Sequence, residues 1–432
     1  MGRAPKKAER HADMERQTFI AHSDINSCYA SIELVFRPDL RDRPVAVGGD
    51  EEARHGIVLA KNLIAKRCGV RTGNSLVEAR RACPGLITLP PNYPLYQKYS
   101  MMAREIYSEY SYAVEPFGLD ESWFDLTGVA SSEGQAVAAV KGIMARISKE
   151  LGVTVSVGLS WNKIYAKLGS DYRKPSGLTV INKENYREVV YPLPASDLLY
   201  VGPATTAKLS RYGIRTIGEL ARDENAELLS KALGKVGLML IVFAAGRDVT
   251  PVADSGGSGV IKSVGNSSTF PRDLSCEEDV KMAFYVLAES VSSRMREGGF
   301  ECGTVQISLR GSDLFGFERQ RRLDRPTNVT SELVPAAMGL LRGGYSWQRP
   351  LRSVGIRGAD LVPMDGPRQL SLLYDEGRRL RAMRLEDAVD HVRDRFGYFA
   401  LQRALLLKDR RLTGLDAKKE NVIHPVSYTF GP

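Results

Sequence analysis

Short strand patterns alternate with helical patterns between residues 18 and 160, and this order leaves few folds open. From Thr18 the segment TFIAHSDI predicts a short strand, and NSCYASIELVF after it predicts a helix. Apolar segments on both sides of 118–121 predict a hairpin, a helix follows, and TVSVGLSW then alternates with the period of a half-buried strand. Strands separated by helices in this way predict an α+β sheet that is open on one face, where chemistry can take place.

Three carboxylates lie at the ends of these predicted strands. Asp24 comes near the end of the first strand, and Asp120 and Glu121 occupy the bend of the hairpin. If the strands lie side by side, the acids form an open cluster of hard oxygen ligands, which suits Mg²⁺ because that ion keeps several waters. Two such ions together promote nucleotidyl transfer. Simpler explanations stay open at this point: a solvated turn for the acid pair, and a favourable helix dipole for Asp24.

The remainder of the chain predicts further domains. A length of 432 residues is too great for one ordinary core, so roughly two to four domains are expected. From about Leu198 to Val252 the pattern is helical, a flexible SGGSG segment follows, and a second αβ unit with the strand GTVQISLRG comes next. Beyond Pro363 the chain is charged, helical around 385–405, and ends in a polar tail. The predicted fold class is therefore multidomain α+β.

Composition restricts the partners and the compartment. The net charge of +9 favours a polyanionic partner, although an ordinary basic protein has the same balance. The chain has no apolar run long enough to span a bilayer and no apolar signal core, so we expect no membrane partner and a cytoplasmic protein. The five cysteines are scattered without a C-x-x-C pair, which predicts free thiols rather than disulfides or a zinc site.

Three segments resemble, in the right order, the signatures of the Y-family DNA polymerases. HSDINSCYASIE resembles their first motif, GLDESWFDLTG their catalytic motif, and SVGLSWNKIYAKLGSDYRKPSG their long third signature. VGPATTAKL with YGIRTIGELA is similar to the helix-hairpin-helix region of the thumb, and IKSVGNSSTF with LRGSDL is similar to the DNA-gripping domain found only in this family. The resemblance covers nearly the whole chain and favours the bacterial DNA polymerase IV branch.

This resemblance implies a right-hand polymerase that copies DNA past damaged bases with low fidelity. The implied partners are primer-template DNA, dNTP and a sliding clamp, and the implied cofactor is Mg²⁺ as two ions, with Mn²⁺ as an alternative. The polymerase is expected to act as a monomer. The implied domains are a basic leader (1–17), a palm (18–37 and 92–183), small fingers (38–91), a helical thumb (184–254), a linker (255–260), an αβ little finger (261–362) and a C-terminal extension (363–432).

The resemblance also assigns roles to single residues. The metal ligands that it implies are Asp24, Asp120, Glu121 and the backbone carbonyl of Ile25. Tyr29 matches the aromatic steric gate that excludes a ribose 2′-hydroxyl, with an ordinary core aromatic as the alternative. Lys174 matches the lysine that reaches the triphosphate, for which a point charge on a flexible stem is suited. Asn26 departs from the pattern, because an acid is common at its position.

Further departures lie in the fingers and the thumb. On the fingers helix Leu63 replaces a tyrosine and Lys66 replaces an arginine, so Lys66 keeps a phosphate-binding charge but loses bidentate contact. In the thumb the backbone amides at Gly202 and Gly213 are the candidate contacts to DNA phosphates, with a plain αα turn as the alternative. Tyr200 stands where the usual hairpin pattern has glycine.

The segment RQLSLLYDE resembles the short peptide by which bacterial polymerases bind the sliding clamp. In such a peptide a glutamine forms hydrogen bonds and leucines fill an apolar pocket, so a few anchors carry most of the affinity. A buried strand or helix start is the alternative. The anchors are Gln369, Leu370, Leu372 and Leu373.

Two other functions compete with DNA synthesis at this stage. One is a polymerase-like subunit that binds DNA or the clamp and contributes little synthesis of its own. The other is a metal-dependent nuclease or nucleotidyl cyclase with the same carboxylates, although a cyclase has no need for DNA-gripping domains.

Overall fold

The computed structural model describes residues 17–50, 54, 56–253, 261–366 and 375–420. Its first part alternates strands and helices, as predicted. In chain order the elements are β1 (Ile20–Ile25), α1 (Cys28–Phe36), β2 (Val45–Gly48), β3 (Val58–Lys61), α2 (Leu63–Arg67), α3 (Leu76–Ala82), β4 (Ile87–Leu89), α4 (Tyr93–Ser108), β5 (Val114–Phe117), β6 (Glu121–Asp125), α5 (Glu133–Arg146) with a π turn (Ile147–Leu151), β7 (Val155–Ser160), α6 (Lys163–Tyr172) and β8 (Leu178–Val180).

A five-stranded sheet of order β5-β6-β1-β7-β8 forms the centre of this part, and β1 runs antiparallel to both of its neighbours. Every residue of β1 and β7 is buried. The prediction of an open face and of a half-buried last strand is therefore wrong for these two strands. The cause is α6, which lies directly on β7: a Cβ at Gly158 would overlap the carbonyl oxygen of Ala166 in that helix.

Residues 38–91 form a small unit beside this sheet. Strands β3, β2 and β4 make a three-stranded sheet in which β2 and β4 are parallel. Its core is a separate cluster of small apolar side chains that includes Val58 and Leu76. The helix α3 begins at a capping box in which Ser75 and Glu78 satisfy each other's backbone N–H groups.

Residues 184–253 are mainly helical, which confirms the helices predicted from about Leu198 to Val252, and their apolar core includes Ile164, Tyr165 and Leu168 of α6. The elements are α7 (Tyr186–Val189), α8 (Pro203–Arg211), α9 (Ile217–Leu220), α10 (Ala226–Leu233) and α11 (Lys235–Ala244).

The remaining described residues form a second αβ unit. Its four strands are antiparallel in the order β11-β10-β12-β9, and α12 and α13 pack against them around one core. The elements are β9 (Ser263–Leu274), α12 (Glu277–Glu297), β10 (Phe300–Gly311), β11 (Gly316–Thr327), α13 (Thr330–Gly344), β12 (Leu351–Pro363), α14 (Glu376–Phe396), α15 (Arg410–Thr413) and α16 (Ala417–Glu420). The five cysteines are free thiols, as predicted.

The prediction of a polar tail after about residue 405 is wrong for residues 406–420. Leu406, Leu412 and Ala417 are buried in the same core as α12 and α13. Upstream, α14 is held to the unit by buried ion pairs, including Arg296–Glu386 at 2.7 Å and Arg379–Glu301 at 3.3 Å. Leu406, Leu412 and Ala417 are scattered among charged residues and form no helical stripe, so the periodicity of the sequence did not predict their burial.

We expect Leu406→Ala to lower the free energy of unfolding of this unit by about 2–5 kcal/mol, because it leaves a cavity in a closed core. Leu406 is 0% exposed, whereas its neighbour Leu407 is 48% exposed. Leu407→Ala is therefore the matched control and should have little effect. Thermal and urea unfolding of the full chain measure both. Equal stability of the two variants would show that residues 404–420 do not contribute to the core.

Candidate active site

The three predicted carboxylates lie next to one another on the backbone, two in adjacent strands and Asp120 in the turn before β6. Asp24 in β1 pairs directly with Glu121 in β6, and opposed residues of an antiparallel pair project from the same face. The carbonyl of Asp120 accepts the N–H of Ile25 at 3.0 Å. Asp120 lies in the turn, as predicted. Glu121 was predicted to lie in the same bend, but it is the first residue of β6. The cause is the tight turn at Gly118, whose φ is +80°.

Two lysines from α6 and the segment after it hold these acids. Nζ of Lys174 lies 2.5 Å from Oδ2 of Asp24 and 2.6 Å from Oδ1 of Asp171. Nζ of Lys167 contacts Oε2 of Glu121. The ammonium groups offset the repulsion between clustered, partly desolvated carboxylates.

Burial and these partners shift the pKa values of the acids in opposite directions. Burial raises the pKa of Asp24 to about 7, although Lys174 opposes the shift. Burial also raises the pKa of Asp120, and the charge of Glu121 adds to the effect. For Glu121 burial acts to raise the pKa, but the hydrogen bond with His22 and the charge of Lys167 outweigh it and lower the pKa to about 2. Glu121 is thus the acid most firmly held in its ionised form.

The donor set fits Mg²⁺ in kind, because three carboxylates on neighbouring backbone positions supply the hard oxygens that this ion prefers. In the part of the chain that is described, however, no three His, Cys, Asp or Glu side chains converge closely enough to enclose a metal ion. Asp24 and Glu121 are directed towards Lys174 and Lys167 instead.

Tyr29 lies in the first turn of α1, close in sequence to Asp24. Its half-buried ring stacks on Tyr96 with centroids 4.3 Å apart and meets the edge of Tyr93 at 6.1 Å. Tyr96 is fully buried and donates its hydroxyl to Glu33 at 2.8 Å, so it provides a rigid support for Tyr29.

Asn26, where the family pattern commonly has an acid, is buried and has a structural set of contacts. Its amide nitrogen donates to Thr154 at 3.0 Å, and its amide oxygen accepts from Ser156 at 2.8 Å. The amide therefore joins the end of β1 to β7, and it holds the first motif in place although the common acid is missing at this position.

The fingers residues lie on the short helix α2. Asn62 caps that helix through a hydrogen bond from the N–H of Ala65. Leu63 and Lys66 are both exposed, and Lys66 forms no ion pair with Asp24, Asp120 or Glu121, all of which are described. The structure therefore brings Lys174, but not Lys66, into contact with the acids.

The two thumb glycines lie at opposite ends of α8. Gly202 immediately precedes the helix, and Gly213 follows it with φ +76°. Tyr200, where the family pattern has glycine, adopts φ +70°, a backbone conformation that is uncommon for a bulky residue. The clamp-like residues, Gln369, Leu370, Leu372 and Leu373, lie outside the described residues, as do most of the predicted leader and linker.

Sequence reasoning missed His22 and Ser170 as parts of the site. His22 is two residues before Asp24 on a strand, and Ser170 is three residues after Lys167 on a helix. Residues two apart on a strand, or three apart on a helix, lie on the same face. This spacing could have predicted that His22 lies near Asp24 and that Ser170 lies near Lys167.

Family models and known proteins match most of this chain. Residues 23–171 match the impB/mucB/samB family, and residues 261–372 match the C-terminal domain of the same family. DNA polymerase IV of Acetivibrio thermocellus is 46% identical over 91% of this chain and 98% of its own length. DNA polymerase IV 1 of Bacillus subtilis is 34% identical over 91% of this chain and 94% of its own length.

The solved structure of a Y-family DNA polymerase chimera covers 80% of this chain and 99% of its own, with a TM-score of 0.71 at 21% identity. This likeness confirms the predicted right-hand fold with palm, fingers, thumb and little finger. Every helix in the described ranges is too short or too polar to cross a bilayer. The family models and the relatives agree: the chain belongs to the impB/mucB/samB family, the Y family of DNA-directed DNA polymerases.

Proposed function

We propose that this chain performs template-directed DNA synthesis past damaged bases, with Asp24, Asp120 and Glu121 as its catalytic carboxylates. The observation that carries the proposal is the register of β1 and β6, in which Asp24 faces Glu121 and the N–H of Ile25 is bonded to Asp120. The strand pair β1–β6 and the turn before β6 supply all three acids.

Two Mg²⁺ ions, with Mn²⁺ as an alternative, would supply neutralisation of the triphosphate and stabilisation of the attacking and leaving oxygens. The three acids, with the carbonyl of Ile25, would hold them. Lys174, which pairs with Asp24 in the structure, would contact the triphosphate, and Lys66 on α2 would add a weaker phosphate contact. Tyr29 lies against the sugar and excludes the 2′-hydroxyl of a ribonucleotide.

We also propose the domain division given by the sequence, in which 18–37 and 92–183 form the palm and 38–91 form the fingers. Separate apolar cores for residues 38–91 and 261–420 support it, whereas the core of residues 184–253 also includes Ile164, Tyr165 and Leu168 of α6. Exposed backbone at Gly202 and Gly213 in the thumb binds phosphates of primer-template DNA without reading its sequence, although the N–H of Gly213 also donates to the carbonyl of Ser210 at 3.1 Å.

Primer extension with the purified full chain, Mg²⁺ and dNTP tests the proposal, on an undamaged template and on one with an abasic site. We expect extension of both primers. DNA binding without extension would favour a polymerase-like binding subunit, and strand cleavage would favour a nuclease.

Lys174→Ala is expected to raise the KM for dNTP about 10- to 100-fold, because a hydrogen bond to a charged group contributes about 1.5–3 kcal/mol. Lower salt should restore only part of the loss, since it strengthens diffuse attraction to DNA but does not replace a directed contact. Steady-state kinetics beside Lys141→Ala, an exposed lysine on α5, provide the comparison. An unchanged KM for dNTP would show that Lys174 does not contact the nucleotide.

We propose further that the chain acts as a monomer tethered to a sliding clamp through Gln369, Leu370, Leu372 and Leu373. The segment joins β12, which ends at Pro363, to α14, which begins at Glu376. Gln369→Ala combined with Leu372→Ala should abolish stimulation by a loaded clamp and spare unaided synthesis, because tethering only raises the effective concentration at a primer end. Stimulation that persists in the double variant would show that the clamp contact lies elsewhere. Loss of synthesis without the clamp would show that the segment has a structural role.

A further inference from the structure

His22 is a fully buried polar side chain whose contacts lead to the active site. It is 0% exposed and lies on β1, two residues before Asp24 and on the same face. Its Nε2 lies 3.2 Å from Oε2 of Glu121, and its Nδ1 lies 2.8 Å from Oγ of Ser170 in α6. The edge of the ring packs against Trp123 with centroids 5.0 Å apart. His22 therefore joins three elements, β1, β6 and α6, at the position of one catalytic acid.

The chemistry of the partners determines the direction of these hydrogen bonds. The carboxylate of Glu121 only accepts, so Nε2–H of His22 donates to it. Nδ1 then accepts from the hydroxyl of Ser170, whose other neighbour is the carbonyl of Lys167 at 2.7 Å. Since a carbonyl cannot donate and the hydroxyl of Ser170 has a single proton, Ser170 donates at any one time either to Nδ1 of His22 or to the carbonyl of Lys167.

His22 and Lys167 both contact the same oxygen of Glu121, Oε2. Within the described residues no hydrogen bond reaches Oε1. Two fixed donors on one oxygen restrict the side-chain torsions of Glu121 and leave its other oxygen for a further ligand. Of the two donors, His22 is the more rigid, because its ring is enclosed whereas Lys167 has a flexible stem.

We propose that His22, anchored by Ser170, is a positioning residue that holds Glu121 ready to bind the catalytic metal through Oε1. The proposal rests on the proposed function, in which Glu121 is a metal ligand. Groups that hydrogen-bond a ligating carboxylate restrict its orientation, and their loss costs about 10- to 100-fold in metal affinity. A ring that only filled space between α6 and β6 would have no such effect.

The test measures binding of Mn²⁺ by electron paramagnetic resonance to the full chain with primer-template DNA and a non-hydrolysable dNTP analogue. We expect His22→Phe, which keeps a ring but has no donor, to raise the Kd of Mn²⁺ about 10-fold or more. His22→Gln, which restores a donor at the end of the side chain, should recover most of the affinity. Ser170→Ala should shift the Kd in the same direction by less, because the ring loses its anchor but keeps its donor.

Two controls separate positioning from a structural role. His391→Phe makes the same exchange at an exposed histidine on α14 and should leave the Kd unchanged. In a Glu121→Ala background, His22→Phe should cause no further change, because its effect passes through Glu121.

A wild-type Kd in His22→Phe, with the fold confirmed by circular dichroism, would overturn the proposal. If that variant does not fold, equal Kd values for wild type, Ser170→Ala and His22→Gln overturn it in the same way. Primer extension by the wild-type chain is measured in parallel. Extension with normal Mn²⁺ binding in His22→Phe refutes only the role of His22, whereas no extension by wild type refutes the proposed function itself.

Discussion

Asp24→Asn and Glu121→Gln are each expected to lower the rate of primer extension at least about a thousandfold, since a metal-held carboxylate supports several kcal/mol of charge stabilisation in the transition state. Affinity for primer-template DNA should stay within several-fold of wild type, because most of it comes from phosphate contacts elsewhere. Single-turnover extension and fluorescence anisotropy with labelled DNA measure the two quantities on the same preparations.

Asp125→Asn is the matched control, because Asp125 is an acid at the other end of β6 and accepts the N–H of Thr127 at 2.8 Å. Extension near the wild-type rate by either active-site variant would contradict the assignment of the carboxylates. A parallel loss of DNA affinity would show instead that the substitution disturbs the fold around β1.

Tyr29→Ala is expected to raise the use of ATP relative to dATP by about 5- to 150-fold, because steric overlap in a packed site costs about 1–3 kcal/mol. The ring is held by Tyr96 and Tyr93, so it cannot turn aside to make room for a 2′-hydroxyl. The measurement is kcat/KM for each nucleotide opposite thymine.

Tyr29→Phe retains the ring and should retain the discrimination, which separates the bulk of the side chain from its hydroxyl. The loss of stacking on Tyr96 in the alanine variant is worth about 0.5–1.5 kcal/mol, so a melting curve must accompany the kinetics. Unchanged discrimination in a folded Tyr29→Ala variant would make Tyr29 an ordinary core residue.

Local order along the chain could be predicted because periodicity and turn chemistry are local properties. The segment from Thr18 contains β1 at Ile20–Ile25, and the helix predicted after it is α1 at Cys28–Phe36. The hairpin that carries Asp120 and Glu121 was also predicted, as was the family from its three motifs. The roles of Tyr29 and Lys174 as gate and nucleotide contact stay predictions.

Coverage of the sheet could not be predicted, because a strand pattern does not encode which helix packs on it. The alternation in TVSVGLSW predicted one solvent-exposed face. β7 is nevertheless buried throughout, because Gly158 has no side chain and α6 packs directly against the backbone there. The same applies to Leu406 and Leu412, which looked like isolated apolar residues in a charged tail. Their burial depends on a core that includes α12, more than a hundred positions earlier in the chain.

The amino-acid sequence by itself determined the family and the alternation of strands and helices, and it predicted the three candidate acids, because each of these inferences depends on neighbouring residues. Only the tertiary structure decided the partners of those acids. Lys174, Lys167 and His22 reach Asp24 and Glu121 from α6, the segment after it and β1. His22 and Glu121 are 99 residues apart in the chain, and Lys174 and Asp24 are 150 apart. Such pairs form only when α6 packs on the sheet and the carboxylates are partly removed from water.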